Sequence, residues 1–526
     1  MHVQNLFVRE PRDPVVACEM DAGGDLEAHV EAKLIMESHR KSDRVVVPEK
    51  RPNNAQGRAA EVVEGRTLTE GNTGKSGGTQ TRSWKLEPMP GLDRVREAAR
   101  RDRKMQFTAL LHHVDEAALL RAFRTINRNA TAGVDGVTWK QYEERVEAKL
   151  RELCGRIHRG SYRPQPSRRT YIPKEDGTKR ALGIAALEDK IVQAAVAAVL
   201  GTIYEVDFLE FSYGFRPGRG QHDALDALSV AIQTTKVNYI LDADIRGYFD
   251  TIDHVMLLQL VQERVGDPRV LRLIERWLEA GVVDEGRWQA SEAGTPQGAT
   301  ISPLLANIYL HHVLDQWAHK WRQGSARGEV IIVRYADDFI VGFQYEQDAK
   351  AFQAALQVRL HEFHLELHPD KTRMIEFGRY AIERRQKRGE GKPETFNFLG
   401  FTHICVVKNQ GFWVKRIPKK EKIRATLKKL KSALRRVMHE SIPRVGAWLK
   451  GVLNGYYAYY AVPGALWQLS RLRRQLGYFW FKTLRRRDQL RTLTWAKMIK
   501  IVNTWLPEPH AMHPLPAERF RVRNPR

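Results

Sequence analysis

Two short stretches carry aspartates where apolar runs end. In Tyr239-Ile-Leu-Asp-Ala-Asp-Ile-Arg-Gly-Tyr-Phe-Asp250, Asp244 follows an apolar strand-like run. In Val330-Ile-Ile-Val-Arg-Tyr-Ala-Asp-Asp-Phe-Ile-Val-Gly-Phe343, Asp337 and Asp338 lie between two apolar, β-rich runs. Burying both runs puts these two aspartates at a hairpin tip. Carboxylates held close repel one another unless they share a proton or a cation. Three of them on neighbouring strand ends suit Mg²⁺, which takes oxygen ligands in an octahedron at about 2.0–2.1 Å and keeps places for water and phosphate. Two such ions about 3.5–4 Å apart can activate an attacking 3′-hydroxyl and stabilise a leaving pyrophosphate. Taken alone, the Asp337-Asp338 pair reads equally well as an ordinary turn.

The elements around these residues are legible from periodicity. Residues 92–160 have helical spacing, broken at Gly133 and Gly136. Residues 170–184 read as a hairpin with its turn at Glu175-Asp-Gly177, and 188–200 as a buried helix. Tyr239-Ile-Leu241 reads as a strand, 254–281 and 300–316 as helical stretches, and 330–343 as two strands about a polar tip. Strands and helices without strict alternation predict an α+β unit. Asp250 and Asp253 are expected to cap the next helix, and Asp242 to be a strand-edge or loop carboxylate. After Phe396-Asn-Phe-Leu-Gly-Phe401 the chain turns helical. There Ile423, Leu427, Leu430, Leu434 and Val437 form an apolar stripe, and most of the remaining surface is Lys and Arg.

The chain has 526 residues and a formal net charge of +24. Residues 401–526 hold 28 Lys and Arg against 5 Asp and Glu, so nearly all of the excess lies in the last quarter. That asymmetry predicts a near-neutral middle and a basic C-terminal unit that contacts a polyanion. Three scattered cysteines, Cys18, Cys154 and Cys405, exclude a disulfide scaffold and a Cys-rich zinc domain. No apolar run approaches the ~18–20 residues of a membrane span, and no signal peptide is evident. Residues 1–80 are polar and weakly patterned, and read as a flexible extension. Their Gly74-Lys75-Ser76 mimics the tail of a phosphate loop, but Thr69 stands where that loop needs glycine. His361, His364 and His368 have ligand-like spacing, yet Pro369 follows directly and zinc is not favoured.

The ordered set of motifs carries a resemblance. Tyr335-Ala-Asp-Asp338 resembles the Tyr-x-Asp-Asp box of reverse transcriptases, and Asp244-Ile-Arg-Gly-Tyr-Phe249 their first aspartate motif. Thr295-Pro-Gln-Gly-Ala-Thr-Ile-Ser-Pro-Leu-Leu-Ala-Asn-Ile-Tyr309 resembles the Pro-Gln-Gly motif in its group II intron form. Leu367-His-Pro-Asp-Lys-Thr372 resembles the following lysine motif, and Phe398-Leu-Gly-Phe401 the primer-grip hairpin. Ser212-Tyr-Gly-Phe-Arg-Pro-Gly218 and Ala132-Gly-Val-Asp-Gly136 resemble fingers motifs. All stand in family order, from about Leu86 to the C-terminus. The sequence thus resembles a group II intron-encoded reverse transcriptase and maturase. It departs from the family at Ala181 and Ala185, where proline is usual, and at Lys190, where arginine is common.

The resemblance implies a right-hand polymerase fold with fingers and palm, then an α-helical thumb and a basic tail. The implied divisions are a flexible extension over 1–80, N-terminal extension and fingers over 81–240, palm over 241–400, thumb or maturase domain over 401–480, and DNA-binding tail over 481–526. Asp244, Asp337 and Asp338 would be the catalytic, metal-binding aspartates, completed by the backbone carbonyl of Ile245. The implied cofactor is a pair of Mg²⁺ ions, for which Mn²⁺ can substitute, with dNTPs as substrates. Lys174 and Arg180 would hold the triphosphate, Arg suiting a bidentate contact. Phe249 would lie beneath the sugar and select against a 2′-hydroxyl, Gln297 would line the nucleotide pocket, and Lys371 could protonate the pyrophosphate. The aromatic segment Asn454-Gly-Tyr-Tyr-Ala-Tyr-Tyr460, with Trp448 and Trp467, suits either RNA stacking or helix core. The implied partners are group II intron RNA, an RNA template with a DNA primer, and target DNA, with no membrane; the implied setting is the bacterial cytoplasm, in a ribonucleoprotein. No endonuclease motif precedes Arg526, so no endonuclease is expected. The alternatives are an RNA-binding splicing chaperone and a host-domesticated reverse transcriptase, repair- or CRISPR-linked.

Overall fold

Apolar runs that face helices on both sides make the centre of the molecule. The computed structural model describes residues 91–173, 179–295, 297–408, 411–488 and 492–523. The 1–80 extension with its Gly-rich end, Lys174 and the hairpin turn at 175–177 lie outside these residues. Eleven strands occur among the described residues: β1 Ser167–Pro173, β2 Lys179–Ile184, β3 Tyr239–Ala243, β4 Val282–Asp284, β5 Arg287–Gln289, β6 Val330–Tyr335, β7 Asp338–Phe343, β8 Arg373–Glu376, β9 Phe396–Phe398, β10 Phe401–Lys408 and β11 Gly411–Pro418. They form three sheets, in the orders β2-β1-β4-β5, β6-β7-β3-β8 and β11-β10-β9. With the helices this is an α+β chain.

The central sheet is antiparallel throughout, with registers that include Tyr335↔Asp338, Ala243↔Phe339 and Leu241↔Met374. Successive side chains of a strand point to opposite faces, and here each face meets its own core. Leu241, Ile332, Phe339 and Val341 join a core with the helices Leu187–Asp207, Ser302–Leu310 and Glu346–His361. Ile240, Ile331, Val333 and Ile340 join a second core with the helix Gln221–Thr234 and the C-terminal helices. Burial on both faces explains why β6 and β7 read as nearly unbroken apolar runs instead of alternating ones.

Several expectations change in detail. The 254–281 stretch is two helices, His254–Gln262 and Pro268–Glu279, because Gly266, Asp267 and Pro268 interrupt it. Asp267 caps the second helix and Pro268 begins it. Asp253 does cap the helix His254–Gln262, accepting from the Met256 N–H at 2.8 Å. Asp250 does not: it lies inside the short helix Tyr248–Thr251, whose cap position is Gly247 with φ 59°. The 300–316 stretch becomes the helix Ser302–Leu310, a π-helical turn His311–Asp315, and the helix Gln316–Gly324.

The basic stretch forms the helix Lys420–Arg436, followed by Ile442–Tyr460, Leu466–Arg487, Trp495–Trp505 and Pro516–Arg523. Position 480/481 falls inside the helix Leu466–Arg487, and 240/241 inside β3. The helix Pro516–Arg523 returns to pack on Gln221–Thr234, where Asp226 meets Arg416 of β11 at 2.7 Å and Arg519 at 3.2 Å. Among the described residues no helix is long and apolar enough to cross a membrane.

Candidate active site

One end of the central sheet gathers the chemistry-bearing residues. The β3–β7 register ends at Ala243↔Phe339, so Asp244 follows the last pair and Asp338 precedes it. Between β6 and β7 the loop is only Ala336 and Asp337, and Ala336 has φ 57°. Positive φ at the first residue of a two-residue hairpin loop usually calls for glycine. Alanine there stores roughly 1–2 kcal/mol of strain.

Burial, first, pushes the Asp337 carboxyl above the ordinary carboxylate range, and the Asp244 charge adds to it. Its own backbone N–H, Arg180 and Lys371 pull the other way. The four groups therefore share one electrostatic site. Lys371 Nζ donates to Asp244 Oδ2 at 2.7 Å, giving one carboxylate of the pair a cation. Asp338 begins β7 exposed. Asp242 lies on β3, two residues before Asp244, and is paired on both sides and not at the expected strand edge; burial raises it to about 6 despite Arg373 at 3.4 Å.

The segment carrying Lys371 is pinned beside Asp244. His368 N–H donates to the Asp244 carbonyl at 2.7 Å and Arg246 N–H to the Glu366 carbonyl at 2.9 Å, flanking an antiparallel Ile245↔Leu367 bridge. In that pattern the bridged residues do not bond each other, so the Ile245 carbonyl is directed away from Leu367. Hard oxygens of Asp244, Asp337 and Ile245 are the donor set a divalent cation such as Mg²⁺ takes. As the side chains stand, the described residues hold no cluster of three or more His, Cys, Asp or Glu side chains that could enclose an ion.

Phe249, Gln297 and Arg180, the remaining candidates among the described residues, are linked to this end. Phe249 is half-buried, edge-on to Phe215 at 6.4 Å and to Tyr248 at 5.4 Å. Its carbonyl accepts from Thr295 N–H at 2.7 Å, which ties it to the loop carrying Gln297. A Cβ on Gly294 (φ 83°) would stand 2.8 Å from the same carbonyl, so that loop needs glycine. The Gln297 carbonyl accepts from Gly183 N–H of β2 at 2.7 Å, bringing the strand of Arg180 to the same loop.

Aromatic residues divide by burial. Tyr457, Tyr459 and Tyr460 are core, with Tyr459 donating to the Leu399 carbonyl at 2.7 Å. For these three the helix-core alternative holds. Trp467, by contrast, is 66% exposed. It opens a face of the helix Leu466–Arg487 formed by Trp467, Arg471, Arg474, Tyr478, Lys482 and Arg485, spaced three or four apart and all exposed. Arg471 lies over the Trp467 ring at 5.7 Å and Lys482 over Tyr478 at 4.6 Å.

Residues 172–403 match the family model described as reverse transcriptase (RNA-dependent DNA polymerase). Protein YkfC of Escherichia coli is 34% identical over 301 residues, covering 49% of this chain and 78% of that protein. The group II intron-encoded protein LtrA of Lactococcus lactis is 37% identical over 193 residues, covering 36% of this chain and 32% of LtrA. The chain belongs to the group II intron-encoded reverse transcriptase/maturase family. A protein in the cob intron of Schizosaccharomyces pombe is 42% identical over 152 residues, covering 29% of this chain and 18% of that one. The chain thus spans only about a third of LtrA and less of the yeast protein. Family membership brings a general need for a divalent metal.

A buried polar cluster beneath the β6–β7 tip was not among the candidate residues. Arg334 and Asp315, both fully buried, pair at 2.7 and 2.5 Å, and Arg334 also meets Asn307 at 3.0 Å. One signal was available: an arginine inside the apolar run Val330-Ile-Ile-Val-Arg-Tyr335 must find a partner if that run is buried. Its partner, some twenty residues away, could not be read from spacing.

Proposed function

We propose that this chain extends a DNA primer on an RNA template with dNTPs, and that it binds group II intron RNA to assist splicing and insertion at a DNA target. The observation that carries the polymerase reading is the meeting of Asp244 and Asp337 at one sheet end, with Lys371 bonded to Asp244 and Arg180 close enough to act on Asp337. In this reading the β2-β1-β4-β5 sheet belongs to the fingers, the central sheet to the palm, and the helices after residue 418 to the thumb and tail.

Asp244, Asp337, Asp338 and the Ile245 carbonyl would hold two Mg²⁺ ions, which would lower the pKa of the primer 3′-hydroxyl and offset charge on the departing pyrophosphate. The 3′-oxygen forms its bond to the α-phosphorus as the bond to pyrophosphate breaks. Arg180, with Lys174, holds the triphosphate through charge-assisted hydrogen bonds. Phe249 fills the space a 2′-hydroxyl would need, and Gln297 lines the nucleotide pocket. Lys371 gives a proton to the leaving group.

Primer extension on an RNA template tests this. Asp337→Ala should lower the rate by roughly 10³-fold or more, as expected for several kcal/mol of lost transition-state stabilisation. Wild-type rates in that variant would refute the reading. The exposed aromatic and basic face of Leu466–Arg487 favours an RNA-binding role separable from catalysis. Splicing of a cognate intron at low Mg²⁺ should therefore survive Asp337→Ala.

A further inference from the structure

The loop that carries Asp337 is held from below by a buried guanidinium. Arg334 donates from Nε and Nη2 to the two carboxylate oxygens of Asp315, at 2.7 and 2.5 Å. Its Nη1 is shared between the Asn307 side-chain carbonyl at 3.0 Å and the backbone carbonyl of Ala336 at 2.9 Å. That last oxygen belongs to the peptide that ends on Asp337. Asn307 in turn donates to the Gly214 carbonyl at 2.8 Å, and Gly214 packs so closely that a Cβ there would meet the Ala336 nitrogen at 2.1 Å.

Burying an ion pair is a weak route to stability, because desolvation offsets the attraction, and apolar residues of similar volume usually serve as well. The placement of this pair therefore asks for another role. The pair is also costly to place: Asp315 closes a π-helical turn, His311–Asp315, an irregularity that commonly marks a functional position. What the pair does locally is fix the third contact, to a residue with φ 57° that would otherwise relax.

We propose that Arg334, held by Asp315 and Asn307, is a positioning residue. It locks the Ala336–Asp337 peptide so that the Asp337 carboxylate is presented to a divalent cation beside Asp244. Arg334 touches no reacting atom and acts through Asp337. The proposal rests on the polymerase reading for its activity measurement and on the carboxylate pair alone for its binding measurement.

The test replaces the ion pair by apolar residues, Arg334→Met with Asp315→Leu, which removes the grip on Ala336 without leaving a buried charge unpaired. Four measurements are made: thermal midpoint, primer–template affinity, single-turnover rate of dNTP incorporation, and Mn²⁺ binding followed by electron paramagnetic resonance. The single-turnover rate does not depend on the fraction of active protein. Displacing a reacting group by about 1 Å can cost ~10²-fold, so the rate should fall by at least about tenfold while the midpoint and primer–template affinity stay near wild type. Mn²⁺ binding should weaken alongside. A folded double variant with wild-type rate and wild-type Mn²⁺ binding overturns the proposal, since a purely structural pair would be fully replaced. Should the double variant not fold, Arg334→Lys keeps a cation beside Asp315 but lacks the planar fork that reaches Asp315 and the Ala336 carbonyl together. In the folded variant rate and Mn²⁺ affinity should fall, and wild-type values in both would again overturn the proposal. Were wild-type protein itself unable to extend a primer, the polymerase reading would fall, and Mn²⁺ binding by the variants would still decide the clamp.

Discussion

In the proposed reading Phe249 is the one side chain that carries selectivity for the sugar. Its ring stands edge-on to Tyr248 and Phe215, and its carbonyl accepts from the Thr295 N–H. Phe249→Val should raise the kcat/KM for rNTPs relative to dNTPs by about 10- to 100-fold, the scale on which pockets discriminate by size. Parallel single-nucleotide incorporation assays with each substrate measure the ratio. Gly214 makes a steric prediction of the same kind. The atom a Cβ would strike is backbone and cannot rotate away, so Gly214→Ala should destabilise by about 1–3 kcal/mol, the usual cost of overpacking. Chemical denaturation reads that cost, and a neutral result would mean the β6–β7 tip is free to shift.

Elements are joined through buried polar contacts that span long stretches of chain. Asp267 caps the helix Pro268–Glu279 and also accepts from the N–H groups of Leu110 and Leu111 at 2.8 and 3.0 Å. Burial pushes its pKa up, but the Arg269 guanidinium and the three backbone donors outweigh it and hold the carboxyl well below the usual range. A depressed folded pKa gives stability that is present above the unfolded value, near 4, and is lost as pH falls towards the folded one. The stability difference between wild type and Asp267→Asn should therefore be full at pH 7 and shrink below about pH 4. Denaturation series at several pH values test this, and a pH-independent difference would contradict it. Helix and strand identities were mostly open to reading from periodicity, because they depend on residues two to four positions apart. The break at Asp267 and the interior place of Asp250 were misread because a cap is defined by which N–H the carboxylate reaches, which spacing does not give.

At the scale of the whole molecule, charge is separated from chemistry. The carboxylate pair lies in a near-neutral region, while Arg424, Lys428, Lys431 and Arg435 form one exposed face of the helix Lys420–Arg436. RNA affinity should fall steeply with salt, and each neutralised phosphate contact should contribute about 0.7–0.9 to the logarithmic slope. Replacing Arg424, Lys428 and Arg435 by Gln should lower that slope by roughly 2–3 units. Filter binding from low to moderate salt gives the number, and an unchanged slope would remove this face from the RNA path.

The sequence by itself determined the family and the candidate carboxylates, because Asp244, Asp337, Asp338 and the motifs around them are contiguous and stand in a fixed order. It also determined where the positive charge lies. Only the tertiary structure decided which aromatic residues are core and which are surface: Tyr457, Tyr459 and Tyr460 face inward while Trp467 and Tyr478 stay exposed. It alone joined Arg334 to Asp315 and Asn307 beneath Ala336. The physical reason is range. Local spacing fixes neighbours within an element, whereas burial and hydrogen-bond partners depend on segments far apart in sequence that meet only when the two cores close around the central sheet.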